Sequence, residues 1–136
     1  MDVAAIVRKL EDSGILDQVG VDPAGIGGVL DALEAVGIPS EKVIGITQGW
    51  KMTGAIKTTE RKLAEGGMRH GGSAMMNWCV GNARSEPHGN AIVITKQASG
   101  SAKIDPLMAV LNAVTLMALN PEGRRAYTGE LRTIDR

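Results

Sequence analysis

Ile15-Leu16-Asp17-Gln18-Val19-Gly20-Val21-Asp22-Pro23 is the stretch that decides the fold class. The run to Val21 reads as a short strand, and Asp22-Pro23 closes it. Before it, Val3, Ile6, Val7 and Leu10 share one helical stripe of residues 2–12. Arg8, Lys9, Glu11 and Asp12 face away from that stripe, and Ser13-Gly14 stops the helix. After it, Ile26, Val29, Leu30, Leu33 and Val36 form a second stripe, so residues 24–36 are expected to be helical despite Gly25, Gly27 and Gly28. Gly37 and Pro39 end that helix. Lys42 to Thr47, with Val43-Ile44-Gly45-Ile46 at its centre, reads as a second strand. A strand, a helix and a strand in this order predict a parallel pair in an α/β domain.

Gln48-Gly49 then reads as a turn, and Thr53 to Glu65 as a third helix with Ile56 and Leu63 facing inward. Gly66-Gly67 terminates it. Residues 73–80 are apolar and fit helix or strand equally. Ala83 to Thr95 reads as a hairpin, with Pro87-His88-Gly89-Asn90 as its turn and Ala91-Ile92-Val93-Ile94-Thr95 as its returning strand. Gln97 to Ser101 is polar and expected to be mobile. A last helix is expected over residues 104–119, ended by Asn120-Pro121-Glu122-Gly123 and followed by a tail. Two strong strands before a hairpin are few, because a covered sheet holds about five or six. The pattern suggests part of a larger domain.

The 136 residues suffice for one domain with a real core but not for two. Aromatic residues make up only 2% of the chain, so the core must be built from Val, Ile, Leu, Met and Ala. That scarcity also excludes a stacking platform of the kind that single-strand binders use. Fifteen basic residues balance fifteen acidic ones, so the chain as a whole carries no general affinity for nucleic acid, though a local basic patch remains open. The single Cys79 excludes an internal disulfide and a cysteine-based zinc site. Asp2 and the early charges break any signal-peptide run. Ile104 to Leu119 is shorter than a bilayer needs and is interrupted by Asp105 and Asn112, so it reads as a buried helix.

Two carboxylates stand where chemistry is expected. Asp22 follows a strand, and the carboxyl ends of strands in open α/β sheets are where ligands bind. It can equally serve as a turn or cap residue before Pro23. Asp105, in Lys103-Ile104-Asp105, caps the last helix or lies in its first turn, at the positive end of the helix dipole. Asn112 shares its helical face. Carboxylates at the ends of separate elements are what a metal-dependent phosphodiester-cleaving site needs, but two are too few alone. Lys57, Arg61 and Lys62 lie at helical spacing, and Arg69, Lys96 and Lys103 can extend a basic surface. That surface is a solvated face or a patch for duplex phosphates. His70 adjoins Arg69 and is a candidate phosphate contact. His88 reads as an exposed turn residue and Cys79 as a core residue. No phosphate-binding loop is present: neither GxxxxGK[ST] nor GxGxxG after a strand occurs. That leaves a flavodoxin-like domain without its phosphate loop.

Residues 68–118 resemble the large terminase subunit of tailed bacteriophages, near the end of its nuclease domain. The resemblance is carried by His70-Gly71-Gly72, by Asn77-Trp78-Cys79-Val80-Gly81-Asn82-Ala83, by the hairpin with Gly89-Asn90, by Lys96, and by Ser101-Ala102-Lys103-Ile104-Asp105 leading into an Ala-rich helix. Val21-Asp22-Pro23 and Thr47-Gln48-Gly49 look like the preceding segment, so the resemblance spans residues 15–119. It implies an α/β class with a ribonuclease H-like mixed sheet and flanking helices, its first strands missing. It implies a partial nuclease domain over residues 1–120 and a C-terminal tail over residues 121–136. The implied activity is two-metal cutting of viral DNA during packaging, with Mg2+ or Mn2+. Asp22 matches the family's acid after the fourth sheet strand, and Asp105 matches the acid opening the last helix. Both carry over as catalytic metal ligands. Lys96, Lys103 and His70 carry over as site neighbours. Double-stranded DNA, the remainder of the large subunit, the small subunit and the portal are the implied partners, in the bacterial host cytoplasm and away from membrane. The family's first acid has no counterpart here. The chain thus looks like a prophage remnant, a split reading frame or a trimmed chain, with weak or absent metal binding, little or no nuclease activity alone, and a tendency to self-associate, or to pair with the missing half, through uncovered sheet edge and apolar surface. The alternative is a non-catalytic DNA-binding or packaging-assembly module of the same fold.

Overall fold

The computed structural model describes residues 2–96 and 101–119. Its elements are α1 (Val3–Asp12), β1 (Val19–Val21), α2 (Gly27–Ala35), β2 (Val43–Gly45), α3 (Thr53–Ala64), α4 (Ala74–Asn82), β3 (Ala83–His88), β4 (Ala91–Lys96) and α5 (Asp105–Ala118). The α/β class expected from the strand–helix–strand order is present. β1 and β2 pair in parallel, with Gly20 opposite Ile44, and β3 and β4 form a separate antiparallel hairpin. Residues 97–100 and the tail from residue 120 onward lie outside the described residues, as do the expectations made for them.

Alternation along the parallel pair explains the layering, because successive strand side chains point to opposite faces. Val19 and Val43 turn to one face and pack on Ala4, Val7, Leu33 and Ile38 of and beside α1 and α2. Ile44 turns to the other face and packs on Ile46, Met52, Ile56, Leu111 and Leu116. Ile92 and Ile94 of the hairpin join this second cluster, which lies between α3, α5 and β4. Two small cores therefore flank one short sheet, with no Phe in either. The first face is cross-tied by Lys42, whose Nζ donates to both Glu11 carboxylate oxygens (2.7 and 2.6 Å) and to Leu16 O (3.3 Å). Arg8 pairs with Asp12 and donates to Val36 O (3.3 Å), tying α1 to the end of α2. That hydrogen bond to Asp12, with its charge, raises the Arg8 pKa above its ordinary value.

Several expectations need correction. In α1 the inward residues are Ala4 and Val7, while Val3, Ile6 and Leu10 are 58%, 40% and 39% exposed. The stripe is simply rotated, because the small Ala4 lets the helix lie close to α2. β1 covers only the end of the stretch from Ile15, and Ile15 itself is exposed. α2 starts at Gly27, and the three glycines upstream and at its start shorten it as their helix propensity dictates. In α3, Ile56 is buried as expected, but Leu63 is 46% exposed. Gln48-Gly49 leads into a 3-10 turn, Gly49–Met52. The ambiguous residues 73–80 fall in α4, capped by the Ser73 hydroxyl, which accepts from Met76 N–H (3.1 Å). The hairpin turn is Gly89-Asn90 alone, with Gly89 at φ 61°, and Pro87 and His88 belong to β3. Pro87 fits there because, among the described residues, β3 pairs with β4 alone and its other edge needs no N–H. Cys79 is buried, as expected.

Candidate functional site

Asp22 sits directly after β1 and is exposed. Its Oδ1 accepts from Ala24 N–H (3.0 Å), a local turn bond. It does not cap α2, whose N-cap is Ile26. Its other oxygen takes no hydrogen bond among the described residues and faces water. Asp105 is the first residue of α5, also exposed, with Pro106 next and Ile104 as an N-cap that has no side-chain bond. Asp105 therefore lies in the first turn rather than at the cap, and its carboxylate sits by N–H groups that no side chain among the described residues caps.

The elements bearing these two acids are seated on each other. Gly20, two residues before Asp22, faces α5 so closely that a Cβ there would meet Ile46 Cγ1 and Leu116 Cδ1 at 3.1 Å and Asn112 O at 3.4 Å. Asn112 is buried at 6% exposure. It is held by Gln48, whose Nε2 donates to Asn112 Oδ1 (3.0 Å) and to Ile46 O (2.8 Å). Pro23 packs over Gly45, so the chain leaving β1 crosses the end of β2. Asp105 stands seven residues before Asn112, about 10 Å of helix rise. Asn112 does not line a crevice with Asp105. It is a packing and hydrogen-bonding post. Gly20 and Gln48 are the residues that sequence reasoning passed over. A glycine inside a strand is the available signal for close backbone approach, but nothing in the sequence pairs Gln48 with Asn112 across the fold.

The basic residues spread over several elements. Lys57 and Arg61 are exposed on α3, and Arg61 pairs with Glu65 at 3.7 Å, both side chains well exposed. Lys62 is half-buried, and its carbonyl accepts from Met68 N–H (3.0 Å). Arg69 and His70 rim an apolar cleft of about 540 Å³ between α3, α4 and α5. His70 Nδ1 accepts from Gly72 N–H (3.2 Å), which makes its Nε2 the protonated nitrogen when the ring is neutral. Lys96 and Lys103 are exposed at the end of β4 and before α5, and Lys103 O accepts from Asn82 Nδ2 (3.1 Å). The structure thus brings Arg69 and His70 to α3, while Lys96 and Lys103 lie at either end of residues 97–100.

Exposed carboxylates are the right donors for a hard cation such as Mg2+ or Mn2+, which keeps several waters and takes one or two protein carboxylates. Their number is short for two ions. Among the described residues no group of three or more His, Cys, Asp or Glu side chains gathers to hold a metal. Two carboxylates alone would hold at most one ion, and weakly. No helix among the described residues is long and apolar enough to cross a membrane.

A family model, the terminase large subunit endonuclease domain, matches residues 3–121. No curated protein and no solved structure matches the chain significantly. The mixed α/β arrangement of helices on both faces of a short parallel pair, with an appended hairpin, accords with the ribonuclease H-like fold that the resemblance implied. With well over half its length matched, the chain belongs to the terminase large subunit endonuclease domain family.

Proposed function

We propose that this chain is the C-terminal portion of a DNA-packaging nuclease domain in which Asp22 and Asp105 ligate a shared divalent cation. The observation that carries the reading is the seat of α5 on β1 through Gly20, Leu116 and Asn112. It sets β1, which ends just before Asp22, against α5, which begins at Asp105, the contact itself lying about two to three turns along the helix from Asp105. Mg2+ or Mn2+ held there would supply Lewis-acid chemistry to a phosphodiester. The Ala24 N–H orients Asp22, and Gln48 ties Asn112 of α5 to the residue just after β2. Lys57, Arg61, Lys62, Arg69, His70, Lys96 and Lys103 supply phosphate contacts to double-stranded DNA. The nuclease part spans residues 1–120, with 121–136 as a tail. The rest of the large subunit, the small subunit and the portal are the expected partners in the host cytoplasm.

Two carboxylates bind metal weakly, so the isolated chain cuts little. Supercoiled plasmid incubated with the chain and manganese tests this. Little or no cutting is expected. Robust cutting lost in Asp105→Ala would overturn the deficiency, and cutting that survives both Asp22→Ala and Asp105→Ala would overturn the site. The shortage of gathered metal donors also favours a second reading, a non-catalytic DNA-binding or packaging-assembly module. A melting temperature that manganese leaves unmoved would select it.

A further inference from the structure

A shallow, wide-open cleft of about 800 Å³ lies between the Gly49–Met52 turn and the tip of the hairpin, lined by Trp50, Lys51, Thr53, His88, Asn90 and Ala91. None of these residues belongs to the site above. Trp50 is 57% exposed, a large flat apolar surface left in water. Lys51 Nζ stands 5.6 Å from the ring centroid, close enough for a cation–π contact. Thr53 fixes the two walls. Its Oγ1 accepts from Ile92 N–H (3.0 Å), and its single proton lies within reach of Ile92 O (3.0 Å) and Trp50 O (2.7 Å). The cleft is therefore built from a braced turn and a braced strand. Trp50 also lies beyond the carboxyl end of β2, and Asp22 follows the carboxyl end of β1, the end of a parallel sheet where ligands bind.

An indole, an ammonium group and the polar tips of His88 and Asn90 are together the chemistry of a nucleotide subsite. The indole offers a face to a base, the ammonium meets a phosphate, and the two tips can hydrogen-bond a base edge. We infer that the Trp50–Lys51 cleft stacks one unpaired nucleobase of a DNA strand, with Lys51 against the adjoining phosphate. Scarcity of aromatics excludes a long platform but not one stacking contact. A base inside a duplex has no free face, so the cleft selects a frayed or single-stranded end. The inference rests on the proposed DNA-cutting role for its biological sense, but its test needs no cutting.

Intrinsic fluorescence reads the cleft directly. In the Trp78→Phe variant Trp50 is the sole tryptophan. In EDTA, so that no metal acts, that variant is titrated with a short single-stranded oligodeoxynucleotide and with the blunt duplex of the same sequence. Saturable quenching by the single strand, several-fold tighter than by the duplex, is expected. Trp50→Ala should weaken single-strand binding, followed by fluorescence anisotropy of a labelled strand, by roughly five- to 150-fold. Lys51→Ala should weaken it and lower the salt slope by about one. Because Trp50 is largely exposed, Trp50→Ala should keep the parent melting temperature, which separates lost binding from lost fold. No quenching, equal quenching by duplex, or unchanged binding in Trp50→Ala overturns the inference. A null result with Asp105-dependent plasmid nicking intact would sink the cleft alone. Quenching together with plasmid cutting that survives both Asp22→Ala and Asp105→Ala would leave the cleft standing and the nuclease site fallen.

Discussion

Replacing Gly20 with alanine tests whether α5 is seated on β1 as described. The new Cβ would lie 3.1 Å from both Ile46 Cγ1 and Leu116 Cδ1, and 3.4 Å from Asn112 O. Comfortable carbon–carbon contact begins at about 3.5 Å, so both side chains must retreat by a few tenths of an ångström. Neither has free space, since Ile46 and Leu116 are members of the same buried cluster. The carbonyl of Asn112 is helix backbone and cannot swing aside. Overpacking of this kind costs about 1–3 kcal/mol. Alanine also narrows the unfolded ensemble, which offsets about 0.4–1 kcal/mol. The net expectation is a loss of about 1–2 kcal/mol, or roughly 3–8 °C in melting temperature for a domain of this size. Gly54 in α3 is the control, because a Cβ there meets nothing within 4 Å. Gly54→Ala should stabilise by about 0.5–1 kcal/mol. Urea unfolding followed by circular dichroism measures both. A Gly20→Ala chain as stable as Gly54→Ala would refute the close seat of α5 on β1.

Three further outcomes follow from particular contacts. Glu11→Ala, which removes the partner of a Lys42 side chain only 17% exposed, should cost about 1–3 kcal/mol in urea unfolding, and a loss under about 0.5 kcal/mol would mean the pair is solvated. Gln48→Ala strips buried Asn112 of its donor and should cost about 1–3 kcal/mol, whereas an unchanged midpoint would place a water there. The exposed Val3, Ile6 and Leu10 stripe should drive self-association at high concentration, and light scattering should show a smaller species after all three are changed to serine. A monomeric parent chain would contradict that.

The parallel pair was legible because its signals are local: apolar runs bounded by Asp22-Pro23 and by Gly37 and Pro39. α3, the hairpin and α5 were legible for the same reason. The rotation of α1 was not, since Val3, Ile6, Val7 and Leu10 make as good a stripe on paper as Ala4 and Val7 do in the fold. Which stripe is buried depends on how near α2 can come, a tertiary matter. Leu63 misled in the same way, being apolar at a helical spacing but left at the rim of a cleft. At the candidate site, the two acids could be named from their positions after a strand and at a helix start. Gln48 could not, because its partner lies 64 residues away. Trp50 could not either, because exposure of an indole is invisible in composition.

Manganese affinity in a double-mutant cycle tests the central assignment most directly. Titration calorimetry on the parent chain, Asp22→Ala, Asp105→Ala and the double variant would give the coupling between the two carboxyl groups. If both grip one ion, either single change abolishes most of the binding and the second adds almost nothing. Losses that sum independently, or a parent affinity that neither change alters, would contradict a shared cation.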